Sequence, residues 1–510
     1  MRVLIFHGYL LRGTGSNIYN ANLAQALVGL GHDVHLLCQE RDAAKLDWVH
    51  GVGRWEAGEL QVEALREPDG AGRLTVYIPD IGGLLPVYVV DRYPGFEAKT
   101  FPELSDAELE RYVRANVSAT REVAERAGGI DAALANHLVM GPLILSRAGL
   151  PFAAKIHGSA LEYTVKPNPR FLPHAREGAA AAAAILVGSR HTAESLWEAL
   201  PHLELERKTR LGPPGVDTRE FAPREPGEAK EALGRLAARI EAGGGEEGGF
   251  GRDPGAAAAA VRALEGAQGP RVVFVGKLIV SKGVDLLIAA WPLVHSANPK
   301  ARLLLVGFGE YGQGLRRLLE CLVGGDLEGA HEIARLGRGL EGGAEGPLAI
   351  LTAFLDAPPR GYLDAAAAAA GSIDFAGRLE HGEVAELLPA ADALVMPSTF
   401  PESFGMVAVE AAACGVLPVS ADHSGMREVS RRLADSLPED LGGLTSFPVA
   451  EGAVEELAGR LNAWLAVDPG RRREIGAALA RSVEELWSWE GVARGFIAAS
   501  QGDLEDLPRP

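Results

Sequence analysis

The sequence predicts an α/β protein made of two doubly wound domains. The first half of the chain alternates short apolar strands with helices, and the second half restarts that alternation at RVVFVG (271–276). Such alternation is typical of parallel sheets. The chain also has 510 residues, which is too many for one hydrophobic core, so two large domains are expected.

The first domain opens with a βαβ unit. RVLIF is a short buried strand, NIYNANLAQALVGL is a helix that ends at Gly31, and DVHLL is the next strand. Five later segments are short, apolar and followed by loops, and we predict them as strands: LTVYI, PVYVV, DAALA, FAAKI and AAILV.

The second domain repeats strand and helix in turn. Its predicted strands are RVVFVG, ARLLLVG, SIDFAG, ADALVMPS and VLPVS, and its predicted helices include GVDLLIAAWPLV, GLRRLLECLV and GEVAELLPA. Between the halves, LGPPGVDTREF (211–221) is a predicted hinge, because two prolines and a glycine cannot continue a helix or a central strand. Two such domains should meet at a cleft, with ligands at the carboxyl ends of their strands.

The second domain carries two long segments to which the sequence assigns no function. One covers about 229–268 and contains the low-complexity run EAGGGEEGGFGRDPGAAAAA (241–260), which predicts a mobile insertion. The other covers about 324–371, is rich in Gly and Ala, and includes helical pieces such as GAHEIARLG.

Composition and charge restrict the class of protein. Hydrophobic residues make up 47% and charged residues 23%, the profile of a soluble globular protein, and the net charge of −18 argues against a nucleic-acid partner. No stretch reaches the roughly 18 apolar residues of a membrane span, and MRVLIFHG is too short for a secretory signal, so a cytoplasmic location is expected. Peripheral contact with a membrane surface stays open. Cys38, Cys321 and Cys414 lie far apart without metal spacing, which indicates buried reduced thiols.

GFGEYG (307–312) matches the G-x-G-x-x-G pattern of dinucleotide sites and follows the predicted strand ARLLLV. A dinucleotide site would need an acidic residue at the end of the next strand, about 20 residues on. The acid at that distance, Asp326, lies in a loop directly after a helix. We therefore favour a tight strand-to-helix turn, with lining of the phosphate side of another ligand as a second interpretation.

TFPESFGMVAVEAAACG (399–415) lies between two predicted strands and predicts an anion site. Ser403 is a good N-cap and Gly415 a good C′ residue, so a helix is expected through FGMVAVEAAAC. The backbone N–H groups of Phe404, Gly405 and Met406 would then lack intrahelical partners in its first turn. Together with the helix dipole they would form a site for an anion.

Two carboxylates in that stretch, Glu402 and Glu410, stand eight positions apart. With one in the loop and the other about two turns into the helix, they are not placed as an acid/base pair acting on one atom. Each carboxylate accepts two hydroxyl hydrogen bonds, so the pair fits two diols of one extended ligand with a phosphate between them. The alternative is a helix-dipole partner at Glu402 and a solvated Glu410, although the apolar neighbours of Glu410 indicate a buried helix.

Lys277 and Lys282 lie in the predicted strand-to-helix loop VGKLIVSKGVD (275–285). An ammonium group on each side of a small anion suits a diphosphate, and two solvated loop lysines are the alternative that the spacing alone leaves open. With the two carboxylates, such a clamp would fit a ligand that carries a sugar, a diphosphate and a ribose.

These motifs occur together in one order. The pair Glu402 and Glu410, GKLIVSKG (276–283), FAGRLEH (375–381), PSTFPESFGMVAVEAAACGVLPVSA and PPGVDTREF resemble the retaining family 4 glycosyltransferases of GT-B fold. The resemblance covers most of the chain apart from the two insertions. ELWSWEGVARGF is similar to the C-terminal helix of that family, which crosses back to the first domain.

The resemblance implies two Rossmann-like domains facing a cleft. The first, at 1–215, would bind the acceptor, with a helix at about 487–502 packed on it. The second, at 216–486, would bind the nucleotide-sugar donor. GLLPVYVVDRYPGFEAKTF (83–101) would shape the acceptor side.

The roles of the family transfer residue by residue as implications of the resemblance. Glu402 would bind hydroxyls of the donor sugar and Glu410 the ribose diol, whereas Lys277 and Lys282 would bind the diphosphate and stabilise it as leaving group. His157, in KIHGSALEY, would lie near the reactive side of the sugar. The remaining donor-binding positions are Gly13, Thr14, Gly15, Arg378, Leu379, Phe404, Gly405 and Met406. Family members more often carry arginine at the position of Lys277, and lysine supplies charge without a planar fork.

The implied reaction moves a hexose from a nucleotide diphosphate sugar to an acceptor hydroxyl with retention of the anomeric configuration. We expect a front-face substitution, because no carboxylate is evidently placed as a nucleophile, and we expect neither a metal nor a cofactor. The partners would be the donor and a sugar, lipid or small-molecule acceptor. Three alternatives remain: a sugar-nucleotide epimerase of the same fold, an NAD-dependent oxidoreductase based on GFGEYG, and a two-lobed binding protein.

Overall fold

The computed structural model describes residues 1–88, 95–243 and 252–510. They form two compact units, Met1–Gly215 with Trp487–Pro510, and Val216–Leu486, which we call unit 1 and unit 2. Each unit is built around a mainly parallel sheet covered by helices, which confirms the predicted fold class.

The strands of unit 1 alternate with loops and helices in the described residues. They are β1 (Arg2–Phe6), β2 (Asp33–Leu37), β3 (Gly51–Glu56), β4 (Glu59–Ala64), β5 (Arg73–Ile78), β6 (Leu84–Val87), β7 (Glu97–Thr100), β8 (Ala132–Asn136), β9 (Ala153–Ile156), β10 (Ala184–Val187) and β11 (Thr209–Leu211). Nine of them form one sheet in the order β11-β10-β9-β8-β1-β2-β5-β3-β4, and β6 pairs with β7 separately. Neighbours in the large sheet are parallel except for the hairpin β3–β4.

The helices of unit 1 belong to its two chain segments. They are α1 (Gly15–Gly29), α2 (Asp106–Arg126), α3 (Gly141–Ala148), α4 (Leu172–Ala181), α5 (Arg190–Ala199) and the C-terminal α19 (Trp489–Gln501). Helix α19 packs against α1 and against β8, β9 and β10.

The continuous apolar run of β1 reflects burial on both faces of the sheet. Val3 and Ile5 belong to one core cluster, to which α1 and α19 also contribute. Leu4 and Phe6 belong to a second cluster, which includes side chains of α2 and α3. Successive side chains of a strand point to opposite faces, so a strand covered on both sides is apolar throughout.

Unit 2 has a six-stranded parallel sheet. Its strands are β12 (Arg271–Val275), β13 (Arg302–Val306), β14 (Ile373–Gly377), β15 (Ala393–Met396), β16 (Leu417–Ala421) and β17 (Ser446–Phe447). They are arranged in the order β14-β13-β12-β15-β16-β17, and each pairing is parallel.

The helices of unit 2 include those of both predicted insertions. They are α6 (Pro226–Glu241), α7 (Pro254–Glu265), α8 (Val284–Ala297), α9 (Gly312–Gly324), α10 (Leu327–Leu336), α11 (Ala349–Asp356), α12 (Tyr362–Ala368), α13 (His381–Leu387), α14 (Met406–Ala413), α15 (Ser424–Ala434), α16 (Glu439–Gly442), α17 (Ala453–Leu465) and α18 (Pro469–Leu486).

The alanine-rich part of the first insertion is folded. Helix α7 packs on α6 and on β14, and its N-cap Asp253 accepts a hydrogen bond from the Ala256 N–H at 3.0 Å. Alanine has the highest helix propensity, and the apolar face of α6 gives the run a surface on which to pack. The prediction of a mobile insertion is therefore wrong for this run, whereas 244–251 lie outside the described residues.

The second insertion is also helical and packs on the sheet-flanking helices. Helix α10 contacts α9, α11 contacts α10 and α8, and α12 contacts α8 and α9. Of the predicted region at 83–101, residues 89–94 lie outside the described residues.

Candidate functional site

The predicted donor residues of unit 2, together with Phe308 of GFGEYG, follow four adjacent strands. Lys277 and Lys282 follow β12, Phe308 follows β13, Arg378 follows β14, and Glu402 follows β15. These strands are neighbours in the order β14-β13-β12-β15, and parallel strands end at the same edge of a sheet. The sheet therefore brings together loops that are far apart in sequence.

Lys282 and Glu402 are in direct contact. The Lys282 Nζ donates a hydrogen bond to Glu402 Oε1, which also accepts one from the Ser398 hydroxyl at 2.9 Å. The Glu402 backbone N–H donates to the Ser424 Oγ at 2.9 Å, so the main chain is fixed as well. The side chains of Lys282 and Glu402 are 24% and 23% exposed, which leaves both within reach of a ligand.

Lys277 and Arg378 both approach the ring of Phe308. The Lys277 Nζ and the Arg378 guanidinium carbon each lie 5.9 Å from the ring centroid, within the range of cation–π contacts. Arg378 also donates a hydrogen bond to Glu380 at 3.0 Å, and the adjacent Leu379 is buried. Phe308 belongs to GFGEYG, so that motif contributes an aromatic side chain to the edge that carries the predicted donor residues.

The glycines of GFGEYG make room for the loop at 276–283, which we call the lysine loop. Gly307 and Gly309 have φ angles of +156° and +147°, and a Cβ at either position would overlap main-chain oxygens of the lysine loop. The Leu278 N–H donates to the Phe308 carbonyl at 2.7 Å. This close approach supports the interpretation of the motif as a strand-to-helix turn.

Asp326 does not occupy the position that a dinucleotide site requires. It is the N-cap of α10, and its carboxylate accepts a hydrogen bond from the Gly329 N–H at 2.8 Å. Because it follows helix α9 rather than a strand, the oxidoreductase alternative loses its supporting acid.

Helix α14 begins later than predicted. It starts at Met406, with Gly405 rather than Ser403 as the N-cap. Gly405 has a φ angle of +104°, which glycine adopts readily and which does not continue a helix. The prediction that Phe404 and Gly405 belong to the first turn is therefore wrong. The predicted C-terminal end is confirmed, because Gly415 follows the C-cap with a φ angle of +76°.

Glu410 is buried in α14 and has a histidine partner. Its side chain is 5% exposed, and its Oε1 lies 2.9 Å from the Nε2 of His381. Burial alone lowers the pKa of His381, but the charge and hydrogen bond of Glu410 and the charge of Glu220 outweigh it, so this pKa lies above its ordinary value. The His381 ring also packs against Phe221, with 4.9 Å between centroids. His381 thus supplies the hydrogen-bond partner that a buried carboxylate requires.

We expect the pair of His381 and Glu410 to make stability depend on pH. Because the pKa of His381 is raised in the folded state, its charged form stabilises the fold fully below about pH 6.5 and less as the pH rises through the folded-state pKa. The loss in free energy of unfolding on His381→Gln should therefore be largest at about pH 6 and smaller at about pH 8.5. Urea unfolding of both proteins measures it, and a loss that does not change with pH would contradict the pairing.

The predicted glycine loop of unit 1 forms the start of α1. Gly13 has a φ angle of +93°, Thr14 is the N-cap, and Gly15 is the first helical residue. The loop follows β1, so it lies at the carboxyl edge of the unit 1 sheet. Its contact with a diphosphate stays a prediction.

A network of polar side chains links α1 to His157. The His157 Nε2 lies 2.7 Å from the Asn136 Oδ1, and Asn136 exchanges hydrogen bonds with Asn20 at 2.7 and 3.1 Å. The Asn20 amide lies 3.0 Å from the Nδ1 of His7, whose Nε2 lies 2.9 Å from the Asn17 Oδ1. Burial, and then the positive charge of neighbouring groups, lowers the pKa of His157 well below its ordinary value, so its ring is neutral near pH 7.

Three further features bear on the predictions. Among the described residues, no three His, Cys, Asp or Glu side chains are grouped so that they could hold a metal ion. Cys38, Cys321 and Cys414 are free and buried, as predicted. In the described part of the chain, every helix is too short or too polar to cross a membrane.

Known family models match parts of unit 2. Residues 269–335 and residues 362–479 each match a model described as Glycosyl transferases group 1. Over these two ranges unit 2 is similar in sequence to group 1 glycosyltransferases. The matched ranges include both lysines and both carboxylates of the predicted donor site. The matches support the prediction of a glycosyltransferase, and the roles of these four residues stay a prediction.

Curated relatives of this chain are named as glycosyltransferases. A GDP-mannose-dependent monoacylated alpha-(1-6)-phosphatidylinositol monomannoside mannosyltransferase of Corynebacterium glutamicum is 31% identical over 227 residues, 43% of this chain and 44% of that protein. A D-inositol 3-phosphate glycosyltransferase of Actinosynnema mirum is 27% identical over 379 residues, 72% of this chain and 71% of that protein. The chain spans less than half the length of the mannosyltransferase and of a glycogen synthase from Mycobacterium tuberculosis.

Solved glycosyltransferase structures align with this chain over nearly its whole length. Sucrose-phosphate synthase from Thermosynechococcus elongatus aligns with a TM-score of 0.55 and 19% identity, over 97% of this chain and 96% of that one. HepE of Anabaena in complex with UDP-glucose aligns with a TM-score of 0.55 and 16% identity, over 99% and 100%. At these identities the likeness establishes the fold alone, and that fold is GT-B, as predicted.

Proposed function

We propose that the chain is a glycosyltransferase that moves a hexose from a nucleoside diphosphate sugar to an acceptor hydroxyl. The observation that carries the proposal is the contact of Lys282 with Glu402 at the carboxyl edge of the unit 2 sheet. A cation suited to a phosphate and a carboxylate suited to hydroxyls then lie side by side. Gly405, three residues further along, opens α14 and lets a ligand approach the main chain closely.

The donor roles follow from this arrangement. Lys277 and Lys282 bind the diphosphate, Glu402 binds sugar hydroxyls, and Glu410 binds the ribose diol through the oxygen that His381 leaves available. The remaining donor contacts are main-chain groups near the sugar, the phosphates and the base, at Phe404, Gly405, Met406, Arg378 and Leu379. Solved structures of HepE in complex with UDP and with UDP-glucose support a nucleotide-sugar donor for this fold.

The proposed chemistry is a front-face substitution with retention and without a metal, as in the family 4 enzymes that the sequence resembles. The acceptor oxygen bonds to the anomeric carbon on the face from which the diphosphate departs. As the bond between that carbon and the diphosphate oxygen breaks, an oxygen of the leaving group takes the proton of the acceptor. The lysines stabilise the negative charge that develops on the diphosphate.

Unit 1 is the proposed acceptor unit, with additional donor contacts from Gly13, Thr14 and Gly15. Neutral His157, fixed through Asn136, is suited to hydrogen-bond a sugar hydroxyl near the reacting carbon. The names of the relatives specify inositol phosphate and a phosphatidylinositol mannoside, so a sugar, lipid or small polar acceptor is proposed here. A cytoplasmic location with peripheral membrane contact is compatible with such acceptors.

A thermal-shift panel of UDP-, GDP- and ADP-sugars tests the proposed function. A ligand that binds the folded state raises the melting temperature, so one donor should raise the Tm while the others leave it unchanged. The donor that binds should then transfer its hexose to an acceptor in a coupled assay. Isomerisation of that donor without an acceptor would indicate an epimerase, and a panel without any shift would contradict the proposal.

Glu410→Gln is expected to remove the preference of the protein for a ribose over a deoxyribose. If Glu410 binds the diol, the wild type should bind the ribonucleoside diphosphate about tenfold more tightly than its 2′-deoxy analogue, and the variant should bind both alike. Calorimetric titration with UDP or GDP and the matching deoxynucleotide measures the two affinities. Glu484→Gln, on the exposed face of α18, is the matched control. A preference that survives Glu410→Gln would assign the diol to another residue.

A further inference from the structure

The second insertion contacts the lysine loop through a carboxylate. Between α10 and α11 the chain forms the 3₁₀ turn Arg338–Glu341, and the Glu341 Oε2 accepts a hydrogen bond from the Val280 backbone N–H at 2.8 Å. Val280 is the first residue of the turn Val280–Lys282. A side chain of the insertion is therefore bonded to the main chain two residues before Lys282.

Other main-chain groups of the lysine loop bond to loops that follow neighbouring strands. The Leu278 N–H donates to the Phe308 carbonyl at 2.7 Å, and the Ser281 carbonyl accepts from the Thr399 N–H at 2.9 Å. Those partners belong to the sheet edge itself. The Val280 N–H differs from them because its acceptor comes from the insertion.

Both carboxylate oxygens of Glu341 accept hydrogen bonds, one from Val280 and the other from Arg338. Its side chain is 11% exposed, and its Oε1 accepts a hydrogen bond from the Arg338 Nε at 3.0 Å. The turn begins after Gly337, which has a φ angle of +47° and forms a bridge with Gly346. A Cβ at Gly337 would overlap the Gly346 carbonyl, so the two chain segments are in close contact. The carboxylate thus reaches Val280 from a fixed turn.

We infer that Glu341 is a positioning residue, through which the insertion orients Lys277 and Lys282 toward the donor diphosphate. The inference rests on the proposed function, because the role of the two lysines is part of it. A partly buried N–H that loses its acceptor favours rearrangement of its turn, and small displacements of binding groups weaken binding markedly. The insertion therefore contributes to donor binding without touching the donor.

Calorimetric titration of the full chain with UDP and GDP, and with uridine and guanosine, tests this inference. Glu341→Ala should lower the affinity for the diphosphate that the wild type binds about tenfold and leave that for its nucleoside within about twofold. Glu341→Gln should bind both as the wild type does, because its amide oxygen still accepts the hydrogen bond. Glu332→Ala is the matched control, since Glu332 lies in the same insertion, is 47% exposed and pairs with Arg317 at 3.0 Å.

Three results would overturn the inference: wild-type affinity in Glu341→Ala, equal losses for nucleoside and diphosphate, and a Glu341→Gln variant as weak as Glu341→Ala. Glu341→Asp keeps the charge but withdraws the carboxylate, so it should also lose affinity and serves if the alanine variant does not fold. Lys282→Ala separates this inference from the proposed function. The proposed function fails if Lys282→Ala leaves the affinity for the diphosphate unchanged, or if the wild type binds neither diphosphate. If Lys282→Ala weakens binding of the diphosphate and Glu341→Ala does not, only the inference fails.

Discussion

Replacing Lys282 with alanine is expected to lower the rate of hexose transfer by about 10²–10³-fold. The ammonium group contacts Glu402 at the carboxyl edge of the unit 2 sheet, and in the proposed function its charge acts with that of Lys277 to stabilise the departing diphosphate. Its removal also takes away the hydrogen bond that Lys282 donates to Glu402. Initial rates at saturating donor measure the effect on kcat, and the free energy of unfolding should change little because the contact is partly exposed.

Lys230→Ala is the matched control for this change, because Lys230 is an exposed lysine on α6 of the same unit. It should transfer hexose at the wild-type rate. Lys282→Arg should retain part of the activity, since it keeps the charge but changes the geometry of its donors. If Lys282→Ala were as active as Lys230→Ala, the diphosphate would have to be bound elsewhere.

Gly283→Ala is expected to lower the free energy of unfolding by about 2–4 kcal/mol. Gly283, the last residue of the lysine loop and the N-cap of α8, has a φ angle of +62°, at which an L-residue is strained. An added Cβ would also overlap the carbonyl oxygen of Pro397, at the end of the neighbouring strand. Since that oxygen is main chain, the overlap can be relieved only by moving the backbone. Urea unfolding followed by circular dichroism measures the loss.

Gly459→Ala, in the same unit, is expected to change the free energy of unfolding in the opposite direction. Gly459 lies inside α17, is exposed, and has open space where a Cβ would be added. Alanine there should raise the free energy of unfolding by about 0.5–1 kcal/mol, because alanine is the better helix former. Equal losses at Gly283 and Gly459 would show that the backbone at Gly283 is not the cause.

The local pattern of apolar residues was sufficient to predict the strands that are buried on both faces. RVLIF and RVVFV are continuous apolar runs, and they form the central strands β1 and β12. The hairpin β3–β4 gave no such pattern, because it lies at the sheet edge and contains glycines. At Gly53 a Cβ would meet the ring of Tyr77, so a partner distant in sequence explains this residue. No local signal could have indicated that contact.

The candidate site likewise combines residues that local sequence motifs predict with residues whose partners are distant in sequence. Residues in contiguous motifs, such as Lys282 and Glu402, were predicted from sequence, and the structure places these two in contact. The sequence did not assign a role to His381 or Glu341, because their partners are distant in the chain. His381 contacts Glu410, 29 positions away, and Glu341 contacts Val280, 61 positions away. The late start of α14 was missed because Ser403 is a better capping residue than Gly405 by type, whereas the left-handed backbone at Gly405 decides the boundary.

Unit 1 consists of two separate chain segments, Met1–Gly215 and Trp487–Pro510, and this affects how it can fold during synthesis. Its core includes Trp489 and Phe496 of α19, and the Leu211 N–H of its edge strand β11 donates to the Pro508 carbonyl at 2.7 Å. The ribosome makes these C-terminal residues only after every residue of unit 2. Domains generally fold in the order in which they are synthesised, but here unit 2 has its complete sequence first. The nascent first unit must therefore stay unfinished, with part of its apolar sheet uncovered, while more than 250 residues of unit 2, Val216–Leu486, emerge.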